Sequence, residues 1–181
     1  MDRNLFIKYS RLAAEAQVKR GTKESVYWFT RRIRKDSPVK IDDVVKPLNR
    51  GRITPGKMFA YTYNPKLKDK LSYYDNNPLV IVLELTTDGW YGANLHYLPP
   101  KLRAELMEAV LTKKHSPIQI VKSLEASPLT KPCLKRYLVG QLVTRPKEIP
   151  QDEWEIAIQL PFESFEKAAM KEVWAASKRK K

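Results

Sequence analysis

The fold of this 181-residue chain is decided by Leu79-Val80-Ile81-Val82-Leu83-Glu84-Leu85, which is followed by Asp88-Gly89 and then by Trp90-Tyr91-Gly92-Ala93-Asn94-Leu95. The first run is short, nearly continuous and rich in β-branched residues, and this pattern predicts a central β-strand. Asp-Gly between two strand-like runs predicts a β-hairpin in which both turn residues require positive φ. The sequence therefore predicts an antiparallel pair of strands in the middle of the fold.

Two further segments have the period of a strand. Residues 58–63 alternate, which places Phe59, Tyr61 and Tyr63 on one face. Residues 154–160 also alternate between large apolar and mostly polar side chains, and this predicts a half-buried strand. Four or five short strands predict a small curled antiparallel sheet or an SH3-like barrel.

Two segments with helical spacing precede the strands. Residues 2–20 predict one helix and residues 25–35 predict a second. Both contain apolar residues three and four positions apart, so each has one face suited to a core. The apolar stripe of the second helix consists of Val26, Phe29 and Ile33.

Further helices are predicted after the hairpin. Pro99-Pro100 and Ser116-Pro117 each open one, because proline suits the first helical turn. A third short helical element covers residues 132–143, and the last helix begins at Pro161. The fold class is therefore α+β, with an N-terminal helical pair and packed C-terminal helices around one core. The inward-facing residues of the last helix are predicted to be Phe165, Ala169 and Val173.

Breaks in these patterns divide the chain into four parts. Residues 36–57 have no clean period and include the breakers Pro38, Pro47, Gly51 and Pro55, which is typical of an extended linker. The predicted division is a basic helical N-terminal arm at 1–35, this linker at 36–57, an α+β core domain at 58–177 and a basic tail at 178–181.

The net charge of +14 is unevenly distributed along the chain. Residues 1–57 hold fifteen Lys and Arg against six Asp and Glu, residues 58–98 hold three against four, and residues 99–181 hold sixteen against ten. A strongly positive field attracts polyanions because it neutralises phosphates and releases counterions. The charge therefore indicates a protein that binds nucleic acid or an acidic protein surface, and it does not specify a reaction.

The side chains available for catalysis are few. The chain has one cysteine, Cys133, two histidines, His96 and His115, and no Gly-rich phosphate loop. A zinc site needs three or four Cys, His or acidic ligands, and a metal-dependent nuclease built on Asp75 and Asp88 lacks the lysine that usually follows. We therefore expect neither an enzyme nor a bound metal, cofactor or small-molecule substrate.

The expected location follows from three features of the chain. A single cysteine fits a reducing compartment. No segment approaches the roughly twenty apolar residues that span a bilayer, and the N-terminus has no apolar signal region. We therefore expect no membrane partner, and a location in the cytosol, the nucleus or a particle assembled there.

The sharpest candidate binding surface lies on the second predicted helix. Trp28, Arg31, Arg32 and Lys35 recur at i, i+3, i+4 and i+7, opposite the apolar stripe. Arginine and lysine contact phosphates, and tryptophan offers a ring for stacking or anchoring. The stripe either binds nucleic acid, docks on an acidic partner, or is only a solvated face. Lys19, Arg20, Lys23 and Arg34 are further basic residues of this N-terminal part. Separate candidates are Lys66 and Lys68 in a basic loop between strands, and Lys178, Arg179, Lys180 and Lys181 in the tail.

Several motifs resemble those of one protein family. They are Tyr61-Thr62-Tyr63-Asn64-Pro65-Lys66, Leu71-Ser72-Tyr73-Tyr74-Asp75, Pro78-Leu79-Val80, Asn94-Leu95-His96-Tyr97-Leu98-Pro99 with Arg103, and Trp154-Glu155-Ile156-Ala157 before Leu160-Pro161. Together they resemble a family of T4-like tailed bacteriophages of the myovirus type, whose members are described as DNA end protector or head-completion proteins. No catalytic role comes with these motifs, so the resemblance implies a fold and a DNA-related function only.

The charge and the resemblance together lead to two hypotheses. The first is a non-enzymatic phage virion protein that binds the end of the packaged double-stranded genomic DNA. The binding is expected to be independent of sequence, because nothing in the chain resembles a base-reading motif. The alternative is a structural component of the phage neck, tail or baseplate, which docks other phage structural proteins through its basic arm. Both hypotheses place the protein in the virion, and in the host cytoplasm during assembly.

Overall fold

The computed structural model describes residues 5–33, 52–113 and 115–179, with side chains up to residue 175. Its strands form one five-stranded antiparallel sheet and a separate antiparallel pair. The strands are β1 Met58–Ala60, β2 Tyr74–Asp75, β3 Leu79–Thr86, β4 Gly89–Asn94, β5 Leu134–Leu138, β6 Lys147–Ile149 and β7 Phe165–Glu166. The described helices are α1 Leu5–Glu15, α2 Lys23–Ile33, α3 Pro100–Leu111, α4 Pro117–Ala126, α5 Trp154–Ala157 and α6 Met170–Arg179.

The larger sheet has the strand order β5-β4-β3-β1-β6, and β2 pairs with β7 beside it. Among the described strands the sheet does not close into a barrel, because β5 and β6 lie at its two edges and do not pair with each other. The predicted fold class, α+β, is confirmed. Of the two predicted sheet forms, the structure has the open antiparallel sheet and not the closed barrel.

β3 is the central strand of the five, and both of its faces are covered. Leu79 and Ile81 join the main core beneath the helices. Val80 and Val82 face the other way and belong to a second apolar cluster. A strand that is covered on both faces has a nearly continuous apolar sequence, which is the pattern that predicts it.

The β3–β4 hairpin is confirmed, but its turn differs from the predicted one. Thr86 pairs with Gly89, so the turn residues are Thr87 and Asp88, and neither of them has positive φ. Gly89 is required by packing instead, since a Cβ atom there would lie 1.8 Å from the backbone oxygen of Tyr137 on β5.

The second apolar cluster consists mainly of aromatic rings on the face of the sheet away from the helices. Tyr61 packs edge-on against Trp90 and Tyr137, with ring centroids 5.6 and 5.5 Å apart. Phe59 and Tyr63 are buried in the same cluster, which confirms that Phe59, Tyr61 and Tyr63 share one face. These rings form a core, because contact with one another buries them.

The prediction of a strand over residues 154–160 is wrong. Trp154–Ala157 is the helix α5, and a turn at residues 158–159 follows it. Every residue from 154 to 160 is buried, including Glu155 and Gln159. A short segment that is buried on all sides carries no reliable period, so alternation in its sequence does not distinguish a strand from a helix.

Two predicted helical segments contain strands. Residues 132–143 include β5, because Leu134–Leu138 pairs with β4 as an edge strand. The last helix begins at Met170 and not at Pro161, because β7 intervenes and pairs with β2. Of its three predicted inward residues Val173 is buried, Phe165 lies half-buried in β7, and Ala169 is exposed.

The N-terminal helices pack on the same core as the sheet. Phe6, Tyr9 and Ala13 of α1 and Phe29 and Ile33 of α2 are buried in the main cluster. The start of the predicted linker, residues 36–51, lies outside the described residues. The division into arm, linker, core domain and tail therefore stays a prediction.

Candidate nucleic-acid interface

The resemblance motifs bring a group of polar side chains together in the interior. Oδ2 of Asp75 lies 2.7 Å from Nδ1 of His96 and accepts a hydrogen bond from Nδ2 of Asn94 at 3.2 Å. Oδ1 of Asp75 accepts from the backbone N–H groups of Asn77 and Ser164, both at 3.0 Å. We call Asp75, Asn94, His96 and Arg103 the buried polar cluster.

The pKa of Asp75 results from opposing effects. Burial alone raises this pKa, whereas the adjacent His96 ring and the donated backbone N–H groups lower it, and the net pKa is below the ordinary value. The carboxylate is therefore held in its ionised form inside the protein.

Arg103 connects this cluster to the helices. From α3 it donates to the carbonyl oxygens of Leu98 at 2.8 Å, Ile158 at 3.0 Å and His96 at 3.5 Å. The indole Nε1 of Trp174 on α6 donates to the same His96 carbonyl at 3.0 Å, and its ring lies 5.6 Å from the guanidinium carbon of Arg103. The cluster thus holds α3, α6 and the segment after α5 against the end of β4.

The candidate catalytic residues do not form a reactive site. His96 and Asp75 are buried and hydrogen-bonded to each other, so neither side chain is accessible to a dissolved substrate. Burial raises the pKa of the Cys133 thiol to about 12, which leaves it protonated. Asp88 is exposed at the hairpin, where Arg136 donates to its two oxygens at 2.8 and 3.0 Å. His115 is exposed before α4. Over the described ranges, His, Cys, Asp and Glu side chains form no group of three placed to hold a metal ion.

Glu155 anchors the turn between α1 and α2. Its Oε2 accepts from the backbone N–H of Gly21 at 3.2 Å and lies 3.6 Å from Nε of Arg20. Its Oε1 accepts from the hydroxyl of Ser25. Arg20 also donates to the carbonyl oxygen of Asp152. Arg20 is therefore a structural contact between the N-terminal helices and the segment around α5.

The start of α2 is fixed by a reciprocal cap. The backbone N–H of Ser25 donates to the hydroxyl of Thr22 at 3.1 Å, and the N–H of Thr22 donates back to the Ser25 hydroxyl at 3.0 Å. Such a capping box satisfies amide groups that would otherwise lack partners. With Phe29 and Ile33 fully buried, α2 is held rigidly and its opposite side faces solvent.

That outer side of α2 combines basic residues with an exposed tyrosine. Lys23, Tyr27 and Arg31 follow at intervals of four residues, and Arg32 lies beside them, all exposed. The guanidinium carbon of Arg31 lies 5.6 Å from the centre of the Tyr27 ring. We call Lys23, Tyr27, Arg31 and Arg32 the α2 face. Glu24, also exposed, is its acidic neighbour in the first turn.

Trp28 is placed differently from the sequence expectation. Its side chain is half-buried and packs against the main core, edge-on to Phe29 at 5.1 Å. The exposed aromatic residue of α2 is Tyr27, which is 64% exposed. Residues four apart lie on one helical face, so the spacing from Lys23 through Tyr27 to Arg31 was the sequence signal for this residue.

The remaining predicted site residues are distributed over other parts of the molecule. Lys19 is exposed between α1 and α2, and Lys66 and Lys68 are exposed in the loop before β2. Lys167 closes this loop by donating to the carbonyl oxygens of Lys68 and Leu71 at 2.7 and 3.1 Å. Lys178 and Arg179 lie in the last turn of α6. Arg34, Lys35, Lys180 and Lys181 lie outside the described residues.

The sequence patterns name Arg103 and Glu155 only within the resemblance motifs and predict no structural role for either residue. Arg103 has a recoverable signal, because it is spaced with Leu106 and Met107 on the buried side of α3. The burial of Glu155 has no such signal in the sequence, since an acidic residue in an amphipathic segment is normally placed on the solvated side.

The fold and its surfaces define a class of protein. Its buried polar cluster makes hydrogen bonds within the fold, and its α2 face exposes Lys23, Arg31 and Arg32 on one helix, a feature common among proteins that bind nucleic acid. Residues 4–179 match the family model of the phage T4 terminal DNA protecting protein. The chain belongs to this family, which confirms the predicted class of phage DNA end protector. No curated protein and no solved structure gives a significant match.

None of the described helices has the length and apolarity that crossing a bilayer requires.

Proposed function

We propose that this protein protects the ends of double-stranded phage DNA by binding them through the α2 face, without sequence preference and without catalysis. One observation carries the assignment of the surface. Lys23, Arg31 and Arg32 are exposed on one helix, and within the described part of the chain none of them pairs with a carboxylate. Their charge is therefore available to neutralise phosphates.

The mounting of α2 supports the same surface. Phe29 and Ile33 are buried, and the hydroxyl of Ser25 donates a hydrogen bond to Glu155. The cap at Thr22 fixes the first turn of α2. A helix held in this way presents its cations from a fixed backbone, so little backbone entropy is lost on binding. Lys19 and the loop with Lys66 and Lys68 supply additional positive charge that is exposed to solvent.

Binding without sequence preference is supported by the kind of side chains on this face. Lysine and arginine on an exposed face contact phosphate oxygens, which position a protein on DNA but carry no sequence information. Three phosphate contacts from Lys23, Arg31 and Arg32 correspond to a slope of about −3 when log K is plotted against log salt. The tail at 178–181 adds to this slope if it also reaches the backbone.

The absence of catalysis is part of the proposal. It is supported by the burial of Asp75 and His96 and by the raised pKa of Cys133, since these groups would otherwise be the first candidates for chemistry. A cleavage assay with Mg²⁺ tests it directly. Degradation of DNA by the pure protein, lost on Asp88→Asn, would contradict the proposal.

The experiment that tests the function compares linear double-stranded DNA with a closed circle of equal length over a salt series. Protection of the linear DNA from an exonuclease, together with tighter binding to linear than to circular DNA, is the expected result. Equal binding to both forms that disappears near physiological salt would indicate non-specific attraction. The alternative role in the neck, tail or baseplate would then be favoured.

We further propose that the protein acts in the virion and in the host cytoplasm during assembly. Membership of a phage protein family supports this location. Quantitative mass spectrometry of purified particles tests it, because an end protector is expected in very few copies per genome. A fixed, high copy number per particle, as expected of a neck, tail or baseplate component, would support contacts with other phage structural proteins instead.

A further inference from the structure

A DNA end differs from the rest of a duplex by its terminal 5′ and 3′ groups and by the exposed face of its last base pair. Both present phosphates, but only the end exposes the flat aromatic face of a base pair to water. Cations alone bind phosphates anywhere along the duplex. An exposed ring beside the cations gives a protein a preference for ends, because stacking on a base is favourable and independent of sequence.

We propose that Tyr27 is the end-recognising residue, and that its ring stacks on the terminal base pair while Lys23 and Arg31 contact the flanking phosphates. This inference rests on the proposed function and names the residue that turns duplex binding into end binding. Tyr27 is 64% exposed, although burial of a tyrosine ring is normally favourable. Proteins that bind unstacked bases likewise stack them on aromatic side chains, and Tyr27 is an exposed aromatic residue between two cations.

The geometry of α2 suits this role. Lys23 and Arg31 lie one helical turn before and after Tyr27, so their Cα atoms are about 12 Å apart along the helix axis. The guanidinium carbon of Arg31, 5.6 Å from the Tyr27 ring centre, holds the ring in place through a cation–π contact. Tyrosine has only two side-chain torsions, so a stacked ring loses little entropy.

Another exposed tyrosine provides a useful contrast. Tyr91 on β4 is 42% exposed, but its cross-strand neighbours are Glu84 and Arg136. Arg136 is already bonded to Asp88 at 2.8 Å. The carboxylates beside Tyr91 repel phosphates, so its surroundings are unsuited to DNA and it serves as the matched control.

The test measures affinity for a blunt linear duplex and for a closed circle of equal length, with Tyr27→Ala, Tyr27→Phe and Tyr91→Ala. A linear duplex with 2-aminopurine at its terminal position reports stacking by its fluorescence. We expect Tyr27→Ala to reduce the preference for the linear form about tenfold and to abolish the terminal fluorescence change. Affinity for the circle should stay within about twofold. Tyr27→Phe and Tyr91→Ala should behave like the unmodified protein.

The outcomes separate this inference from the proposed function. If Tyr27→Ala retains both the end preference and the fluorescence change, the inference is wrong and the proposed function stands. Equal losses on linear and circular DNA make Tyr27 a general contact and also overturn the inference. If the unmodified protein does not distinguish the two forms, both fail.

Discussion

The buried polar cluster and the α2 face use the same types of residue in opposite ways. Arg103 donates to three carbonyl oxygens, and its guanidinium carbon lies 5.6 Å from the Trp174 ring. Arg31 lies at the same distance from the Tyr27 ring but is exposed. The comparison shows that the residue type does not reveal function here. The arginines that we propose to bind DNA, Arg31 and Arg32, are exposed, whereas Arg103 is buried.

The largest expected effect is on the buried side of this comparison. Arg103→Ala leaves the buried carbonyl oxygens of Leu98 and Ile158 without the donor from Arg103 and removes the contact with Trp174. It should therefore lower the free energy of unfolding by about 3–5 kcal/mol. Urea denaturation measures this change. Lys101→Ala on the same helix is the control, since Lys101 is 88% exposed and should cost under about 0.5 kcal/mol. A loss below about 1 kcal/mol for Arg103→Ala would remove its assigned structural role.

On the α2 face the effect should appear in binding and not in stability. Arg31→Glu with Arg32→Glu replaces two phosphate contacts by repulsion, and we expect DNA affinity to fall by about a hundredfold at low salt. The slope of log K against log salt should also decrease by about 2. Unfolding should change by less than about 0.5 kcal/mol, because both side chains are exposed. Affinity within about twofold of the unmodified protein would exclude this face as the DNA site.

Prediction from sequence succeeds in this protein where a local pattern has one physical cause. The β-branched run of β3 and the Ser116-Pro117 start of α4 belong to this group. Ser116 accepts from the N–H of Gln119 at 3.3 Å, and the Gln119 side chain accepts from the N–H of Ser116 at 2.8 Å. Such a capping box depends on four neighbouring residues only, so the sequence contains all of it.

Prediction fails where tertiary contacts override the local pattern. The alternation of residues 154–160 predicts a strand with one face exposed to solvent, yet Glu155 and Gln159 are buried. Glu155 is buried because Ser25 and Gly21, far away in sequence, donate to it. For the proposed binding surface, the basic residues in the sequence indicate α2. Only the packing of Trp28 on the core identifies Tyr27 as the exposed ring of this helix.

A pH titration sharpens the description of the buried polar cluster. The pKa of Asp75 is lowered in the folded protein, so the stability it contributes is fully present above the ordinary aspartate pKa. That contribution is lost as the pH falls through the lowered, folded pKa. Asp75→Asn should therefore cost about 2 kcal/mol at neutral pH, and the difference from the unmodified protein should shrink in acid. Urea denaturation from pH 7 to pH 3 measures it, and a difference that is constant over this range would contradict the pKa assignment.

The smallest expected effect links the two regions, because Glu155 connects the interior to α2. Glu155→Gln keeps the shape of the side chain but removes the charge beside Arg20 and one of the two strong acceptors for Gly21 and Ser25. We expect a loss of about 1 kcal/mol, and amide hydrogen exchange in α2 faster by up to about fivefold. DNA affinity should fall only about twofold to threefold, since the cations remain and only their fixed positions are loosened. Glu125→Gln on α4, an exposed site, is the control and should change neither quantity. If Glu155→Gln accelerates exchange in α2 while leaving end binding unchanged, the rigidity of α2 contributes nothing to recognition, and the cations of the α2 face act through charge alone.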